Sequence, residues 1–288
     1  MKNSIKKIMN KLSDKMFIKL KYFYHFKKFP NLRNPKTYNE KLQWLKLYDR
    51  NEKYPLLVDK YEVKKHIAET IGKEYVIPTI GIYDSFEDID FETLPERFVI
   101  KVTHDCGGVF ICNNRDTLDI NKAKRFINSH FSNNYYYEGR EWPYKYLKPR
   151  IIIEQYMEDT ETKELRDYKF FCFNGKVKAL FIATDRQNPD EDTKFDFFDD
   201  NFNHLPFKQG HPNAKVPPQK PINFEKMKEM AAILSAGIPH VRVDFYEVNG
   251  KIYFGEMTFY HFSGFIPFEP EEWDKQFGEY LSLLGNKT

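Results

Sequence analysis

No stretch of this 288-residue sequence approaches the roughly 20 consecutive apolar residues that cross a bilayer. Cysteine is scarce. Cys106, Cys112 and Cys172 form no CxxC pair, and an odd count without metal-ligand spacing argues against a disulfide framework and for reduced thiols in the cytoplasm. A large excess of either charge is also missing: 45 basic against 42 acidic residues leave a net +3, whereas nucleic-acid binders cluster a stronger basic surplus on one face. Internal repeats, low-complexity tracts and a convincing Ser–His–Asp or Cys–His arrangement are absent as well. What the chain does have is aromatic residues, 27 Phe and 19 Tyr, which read first as material for a Phe-rich core.

Residues 1–28 are basic, but polar residues interrupt them too often for a signal-peptide core. Ile5, Ile8, Met9, Leu12, Met16, Leu20 and Phe23 recur at helical spacing with lysines elsewhere, the pattern of an amphipathic helix with a cationic face. Such a helix can lie on an anionic membrane surface, or dock on its own domain or a partner protein. Residues 29–96 read as a helical region. Thr37 and Glu40 form a capping box for a helix with Leu42, Trp44, Leu45 and Leu47 on its apolar side. A second helix is expected over 56–71, closed by Gly72, and a short strand over 75–78. From residue 97 the pattern turns to strands, at 98–102, 109–112 and 151–154, with a helix over 120–131. Asn174-Gly175 and Asn249-Gly250 mark two hairpins, with a helix over 224–236 between them. The polar, Pro-containing stretch 189–221 is too long for a simple connection. The divisions expected are 1–28, 29–96, 97–158 and 159–288.

The segment VRVDFYEVNGKIYFGEMTF is the most informative, because Asp244 and Glu256 interrupt apolar strands where an unpaired carboxylate is costly. A two-residue Asn249-Gly250 turn would send them to opposite faces. A three-residue loop, with Glu247 opposite Lys251 and Arg242 opposite Glu256, gathers Arg242, Asp244 and Glu256 on one face, and that register is the one expected here. Oxygen ligands of this kind suit Mg²⁺, which takes one or two carboxylates plus nucleotide phosphates; a purely structural ion-pair network is the alternative. Lys101 lies inside an apolar strand beside His104-Asp105-Cys106-Gly107-Gly108, where a glycine pair lets backbone N–H groups approach phosphate, although no GxxxxGK[ST] run is present. In 151–157 a buried strand runs into Glu154, Gln155, Tyr156 and Met157, able to offer backbone groups to an adenine edge, with Asp167 or a carboxylate near Asp159 for ribose hydroxyls. Asp185 and Arg186 at a strand end, and the turn His261-Phe262-Ser263-Gly264, are candidates for contacts to an acceptor.

The order of these segments resembles the ATP-grasp superfamily, and more narrowly its teichuronopeptide-biosynthesis, TupA-like branch. The resemblance is carried by NPKTYNEKLQWLKLYDRN, VDKYEVKKHI, LPERFVIKVTHDCGG, IIIEQYMED, LRDYKFFCFNGKV and VRVDFYEVNGKIYFGEMTF, over roughly residues 34–265. It implies an α+β fold in which two subdomains, a lid over 97–158 and a metal-bearing part over 159–288, clasp ATP behind a shortened helical N-terminal region. Lys101, His104, Gly107 and Gly108 would cover the triphosphate, and Glu154, Gln155, Tyr156 and Met157 would form the adenine hinge. Asp167 would serve the ribose and Lys169 a phosphate. Asp244, Glu256 and Thr258 would hold Mg²⁺, while Arg242 with Lys101 would stabilise charge in the transfer. Thr258 stands where many relatives carry Asn, the turn HFSG at 261–264 lacks the common Pro-Gly, and THDCGG replaces the branch's Asn-His-Gly-Ser-Gly-like run.

The activity implied is carboxylate–amine ligation through an acyl phosphate, joining an amine or amino acid to a glycan or small-molecule acceptor such as a uronic acid of a surface polysaccharide. A kinase on the same fold and a non-catalytic nucleotide- or sugar-binding module are the rivals. A glycosyltransferase would want a DxD motif at a strand end, which is lacking. The expected location is the cytoplasm, with residues 1–28 at the inner face of the membrane and no nucleic-acid partner.

Overall fold

A computed structural model describes residues 9–160, 165–186 and 191–283. Ile5, Ile8 and the first residues of the 189–221 stretch lie outside them. The chain divides into two compact units, Asn51–Thr160 and a second made of Met1–Arg50 with Glu161–Thr288. The expected 29–96 region is therefore not one body: it is split at residue 50, and the basic helix belongs to the second unit rather than standing apart.

That helix, α1 (Asp14–Phe26), starts at Ser13, whose hydroxyl accepts from the Met16 N–H. It docks through Phe17, Ile18 and Tyr22, while Met16, Leu20 and Phe23 of the expected stripe are exposed. Next, α2 (Tyr38–Tyr48) carries the capping box foreseen from Thr37 and Glu40. It buries Leu42 and Leu45, but also Gln43 and Lys46.

In the 51–160 unit, the helix expected over 56–71 is two, α3 (Tyr54–Val58) and α4 (Glu62–Thr70). Asp59 explains the break. Its carboxylate accepts from the N–H groups of Tyr61 (2.8 Å) and Glu62 (3.0 Å), capping a new helix instead of continuing the old one. The strand expected at 75–78 is displaced to β1 (Thr79–Tyr83), after a single helical turn at Lys73–Tyr75. Then come β2 (Phe98–Val102), β3 (Val109–Cys112), α5 (Ile120–Phe131), α6 (Tyr136–Gly139) and β4 (Ile151–Gln155). The antiparallel sheet runs β1-β4-β2-β3. Alternation turns Phe98, Ile100, Val102, Ile151 and Ile153 onto Ala123 and Ile127 of α5, leaving Lys101 and Glu154 on the opposite face.

The larger unit is built on an antiparallel sheet of β5 (Asp167–Phe173), β6 (Lys176–Thr184), β7 (Lys194–Asp199), β8 (His204–Leu205), β10 (Val241–Val248) and β11 (Lys251–Thr258), in the order β11-β10-β5-β6-β7-β8. A small ribbon pairs β9 (Lys208–Gln209) with β12 (Phe268–Glu269). The helices α7 (Phe224–Leu234) and α8 (Glu272–Tyr280) complete the unit. Thus the 189–221 stretch contains strands that its polar flanks concealed; Phe195 and Phe197 alternate with Asp196 as a strand requires. On one face Phe170 and Phe245 meet each other and Phe170 meets Phe224 of α7. On the other, Phe171, Phe181, Phe197 and Phe277 surround Tyr38, His240 and His261. The Phe-rich core is real.

Gly278 lets α8 lie directly on the strand-like entry to α2: an added Cβ would fall 2.9 Å from Thr37 C and Tyr38 N, and closer to Lys36 O. Because these are backbone atoms, Gly278→Ala should destabilise by on the order of 3 kcal/mol, more than ordinary overpacking at a side-chain contact. Urea unfolding of the two proteins measures this directly.

Candidate active site

The last hairpin has the two-residue turn, not the three-residue loop expected. Val248 pairs with Lys251, and Asn249 (φ 51°) and Gly250 (φ 73°) both occupy the left-handed region, as a type I′ turn requires. Yet Asp244 and Glu256 do share a face. A bulge intervenes: Phe245 pairs with Phe254, Asp244 with Glu256, and Gly255 is the extra residue. A Cβ on Gly255 would approach Asp244 O at 3.1 Å, so the bulge is tight against the neighbouring strand. Arg242 then lies opposite Thr258, not opposite Glu256.

Pairing with β5 sets Asp244 across from Lys169 and Tyr246 across from Asp167. Asp167, Lys169, Arg242, Asp244, Glu256 and Thr258 therefore populate one sheet face. Arg242 grips Asp244 with two parallel bonds, Nε to Oδ1 and Nη2 to Oδ2, both 2.7 Å. Its Nη2 also donates to Glu256 Oε1 and Thr258 Oγ1 at 3.0 Å, and Thr258 donates to Glu256 at 3.2 Å. Lys169 Nζ meets Asp244 Oδ2 at 2.5 Å. Burial alone would lower the pKa of Arg242, but Asp244 and Glu256 outweigh it and raise it. Asp167 is buried, with Lys169 at 3.3 Å and Arg186 in contact. Each of its oxygens faces a cation beside the cluster, Oδ1 toward Lys169 and Oδ2 toward Arg186. Arg186 thereby joins this group, whereas Asp185 accepts a long bond from Thr184 (3.5 Å) at a left-handed turn.

The 261–264 turn differs from the substrate loop expected. His261 is buried, and its Nδ1 accepts from Arg242 Nη1 at 2.8 Å. Since arginine only donates, the proton resides on Nε2, which is buried without a partner. Burial first, then Arg242, His240 and Lys169, push the His261 pKa well down, so the ring is a neutral support for Arg242. Ser263 and Gly264 are held from α2. Lys46 Nζ donates to Ser263 O (2.6 Å) and Oγ (2.9 Å), and Gln43 Nε2 donates to Gly264 O at 2.7 Å. Phe262 and Ser263 have positive φ, backbone strain that these buried donors over-determine, and Gly264 continues the left-handed run without that penalty. Gln43 and Lys46 were invisible in the sequence as site residues, being polar positions inside an amphipathic helix.

In the 51–160 unit, Glu154 is the hub. Its carboxylate meets Lys64 at 2.5 Å and Lys101 at 2.6 Å. Burial would raise its pKa, but the two lysines outweigh burial and lower it. Because β1 and β2 flank Glu154 on both sides, its backbone has no free edge for adenine, and the residue belongs to the lysine site instead of the hinge. Beyond it the strand ends at Gln155, which is exposed. Tyr156 lies 3.7 Å from the guanidinium of Arg97. In the glycine turn, Gly107 (φ 86°) is exposed, while a Cβ on Gly108 would meet His130 Cβ at 3.0 Å. His104, expected to reach phosphate, is buried and donates from Nε2 to Asn133 O (3.1 Å). The turn is shaped by Asp105, which accepts from His130 Nδ1 (2.6 Å) and Asn133 Nδ2 (3.1 Å) while its carbonyl receives Lys60 Nζ. Lys64 and His130 are contributions that the sequence pattern did not single out, and Asp105, inside the expected phosphate loop, shapes that loop. Of the three lysines in VDKYEVKKHI, Lys64 is the one that reaches Glu154.

A profile described as TupA-like ATP-grasp matches residues 40–282, most of the chain. The chain belongs to the TupA-like ATP-grasp family. Its mixed α+β architecture is the ATP-grasp fold. Among solved structures it is similar to D-alanine–D-alanine ligase from Helicobacter pylori, at 15% identity and TM-score 0.46, covering 85% of this chain and 69% of that one. The D-alanine–D-alanine ligase from Bacillus anthracis complexed with ATP is 17% identical, TM-score 0.41, with 71% and 54% covered. The ATP-grasp ligase PsnB, complexed with minimal precursor, Mg and ADP, is 8% identical, TM-score 0.42, with 76% and 57% covered. This ATP-grasp chain thus spans little more than half the length of the latter two. No curated protein matches.

Whether the residues fit Mg²⁺ turns on the donors. Among the described residues no group of three His, Cys, Asp or Glu side chains is arranged to hold a metal. Asp244 and Glu256 supply two carboxylates directly across a strand pair, Asp244 buried and the Glu256 side chain 44% exposed. This is the donor set of an ion carried mainly by phosphates and water, with one or two protein carboxylates, and not that of an all-protein cage. Thr258 Oγ1 is spent on Arg242 and Glu256, orienting them in place of the metal contact expected of it.

Proposed function

We propose that the protein is a Mg-ATP-dependent carboxylate–amine ligase that works through an acyl phosphate. The observation that carries this reading is the buried sheet face on which Arg242 is clamped between Asp244, Glu256 and Thr258, with Lys169 on the same carboxylate. Asp244 and Glu256 would hold Mg²⁺, which supplies charge neutralisation for the β- and γ-phosphates of ATP. A bound ion would replace part of the positive charge that Lys169 and Arg242 now give Asp244, freeing Lys169 to meet a phosphate oxygen.

The substrate carboxylate attacks the γ-phosphorus of ATP, and the bond to ADP breaks. The nitrogen of an amine then adds to the acyl carbon, phosphate leaves, and the amine proton passes to solvent or phosphate. Arg242, fixed by the neutral His261 and by two carboxylates, presents a preorganised cation to the charge that develops. Within the 51–160 unit, Lys101 is aligned by Glu154 as a cation suited to phosphate. Neither step requires a covalent protein nucleophile. Asp185 and Arg186 supply an acidic and a basic group suited to a polar acceptor such as a uronic acid, Asp167 serves the ribose, and an amino acid is the amine in this reading. The role extends to surface-polysaccharide assembly on the strength of the family alone.

The test is Mg-ATP turnover with pools of uronic acids and amino acids, with hydroxylamine added to trap the activated carboxylate. Formation of a hydroxamate together with ADP and phosphate is the expected result. A stable phosphorylated product without hydroxamate would reassign the protein as a kinase.

A further inference from the structure

The charge of the chain is segregated in a way that its modest total conceals. Residues 1–28 contain nine lysines and one aspartate, a net +8, and subtracting this from +3 leaves −5 on the rest. The single acid, Asp14, faces Arg50 at 3.6 Å, so nothing within the segment offsets the lysines.

Helix α1 is held in a fixed orientation on its unit. Phe17, Ile18 and Tyr22 are buried, Tyr22 stacks on Phe26 at 4.2 Å, and Lys21 lies 4.9 Å from the ring of Phe265. The helix has therefore already satisfied one apolar face against its own domain. A second apolar stripe remains outward: Met16, Leu20 and Phe23, at i, i+4 and i+7, are 48%, 40% and 43% exposed. Phe29 (60% exposed) stacks on Phe23 at 4.9 Å and extends the stripe beyond the helix end. Lys15 and Lys19 border it, and Lys11 and Lys27 stand at its two ends. Docking on its own domain cannot account for this second face, because a different set of residues does that work.

We infer that this face of α1 binds the surface of an anionic phospholipid membrane. Large apolar side chains bordered by lysines match the boundary between acyl chains and acidic headgroups: Leu20, Phe23 and Phe29 enter the apolar side while the lysines meet lipid phosphates. Nucleic acid offers the phosphates but no use for Met16, Leu20 and Phe23. A second copy of the chain would bring the same patch against itself across a two-fold axis, setting like charge on like charge. Membrane attachment is independent of the ligase chemistry, and its test reads no turnover.

The test is co-sedimentation of the full chain with phosphatidylcholine vesicles, with and without about one third phosphatidylglycerol, at about 0.1 and 0.5 M salt. Binding should require the anionic lipid and weaken with salt. Exchanging Lys11, Lys15 and Lys19 for glutamate should weaken it at least roughly 100-fold, each residue facing the surface potential. The pair Leu20→Ser with Phe23→Ser, which leaves the charge unchanged, should weaken it by about tenfold or more through lost apolar insertion. Both variants alter exposed positions apart from the half-buried Lys19, and unchanged thermal melting verifies their fold. Equal binding to neutral vesicles, no binding to either, or full binding by the serine pair would overturn the inference. So would a concentration-dependent dimer dispersed by the serine pair, or equally tight binding to duplex DNA.

Discussion

Asp244→Asn should abolish Mg-ATP turnover and also lower the melting temperature, whereas Glu256→Gln should lose turnover and melt normally. Asp244 accepts three bonds from cations, two from Arg242 and one from Lys169, with no exposure to solvent. Asparagine is neutral and presents an N–H₂ where acceptors are required, leaving two buried cations under-compensated. Breaking a buried pair from one side costs about 3–5 kcal/mol, which in a protein of this size lowers the melting temperature by about 10 °C. Glu256 is half-exposed and accepts from Arg242 and Thr258 through one oxygen, a role that glutamine keeps. Its loss should therefore appear in catalysis alone, at least about 100-fold, because a neutral amide is a poor Mg²⁺ ligand. Calorimetry and ADP release on the two variants separate the effects. If turnover persists in Glu256→Gln, the cluster is a structural ion-pair network and the metal assignment fails.

Glu154→Gln should be the corresponding lesion in the 51–160 unit. Lys64 and Lys101 lie 2.5 and 2.6 Å from one buried carboxylate, and removing its charge strands both ammonium groups, again at about 3–5 kcal/mol. The pH dependence has a definite sign. The lysines hold the folded pKa of Glu154 below its ordinary 4.5, so its stabilisation is full above that value and is lost as pH falls through the lower folded pKa. The stability gap between wild type and Glu154→Gln should accordingly be widest near neutrality and close in acid, as measured by urea unfolding across pH. Lys101→Met makes the contrast: Lys64 still pairs with Glu154, so stability should change by less than about 1–2 kcal/mol. ATP affinity should fall at the same time if Lys101 meets phosphate, which the nucleotide-induced shift in melting reports.

The family order of segments, the capping box at Thr37, both Asn-Gly turns, the Phe-rich core and the juxtaposition of Arg242, Asp244 and Glu256 follow from local pattern: hydrophobic period, turn chemistry and the cost of a carboxylate in a strand. That juxtaposition does not come from the longer turn expected: the change of face comes from the bulge at Gly255, and a glycine in a strand does not announce whether its neighbour is opposite or one place along.

Contacts between residues distant in the chain decided the rest. Lys101 on β2 meets Glu154 because β2 pairs with β4, and Lys64, 90 positions before Glu154, reaches the same carboxylate from α4. His261 supports Arg242, which donates to its Nδ1, in the turn that Lys46 and Gln43 hold from α2. The amphipathic stripe of the first helix was legible, but only packing revealed that Phe17, Ile18 and Tyr22 take the inward face, leaving Met16, Leu20 and Phe23 outside. Periodicity counts apolar residues on a helix; which of two faces is buried depends on the surface that happens to lie beneath it.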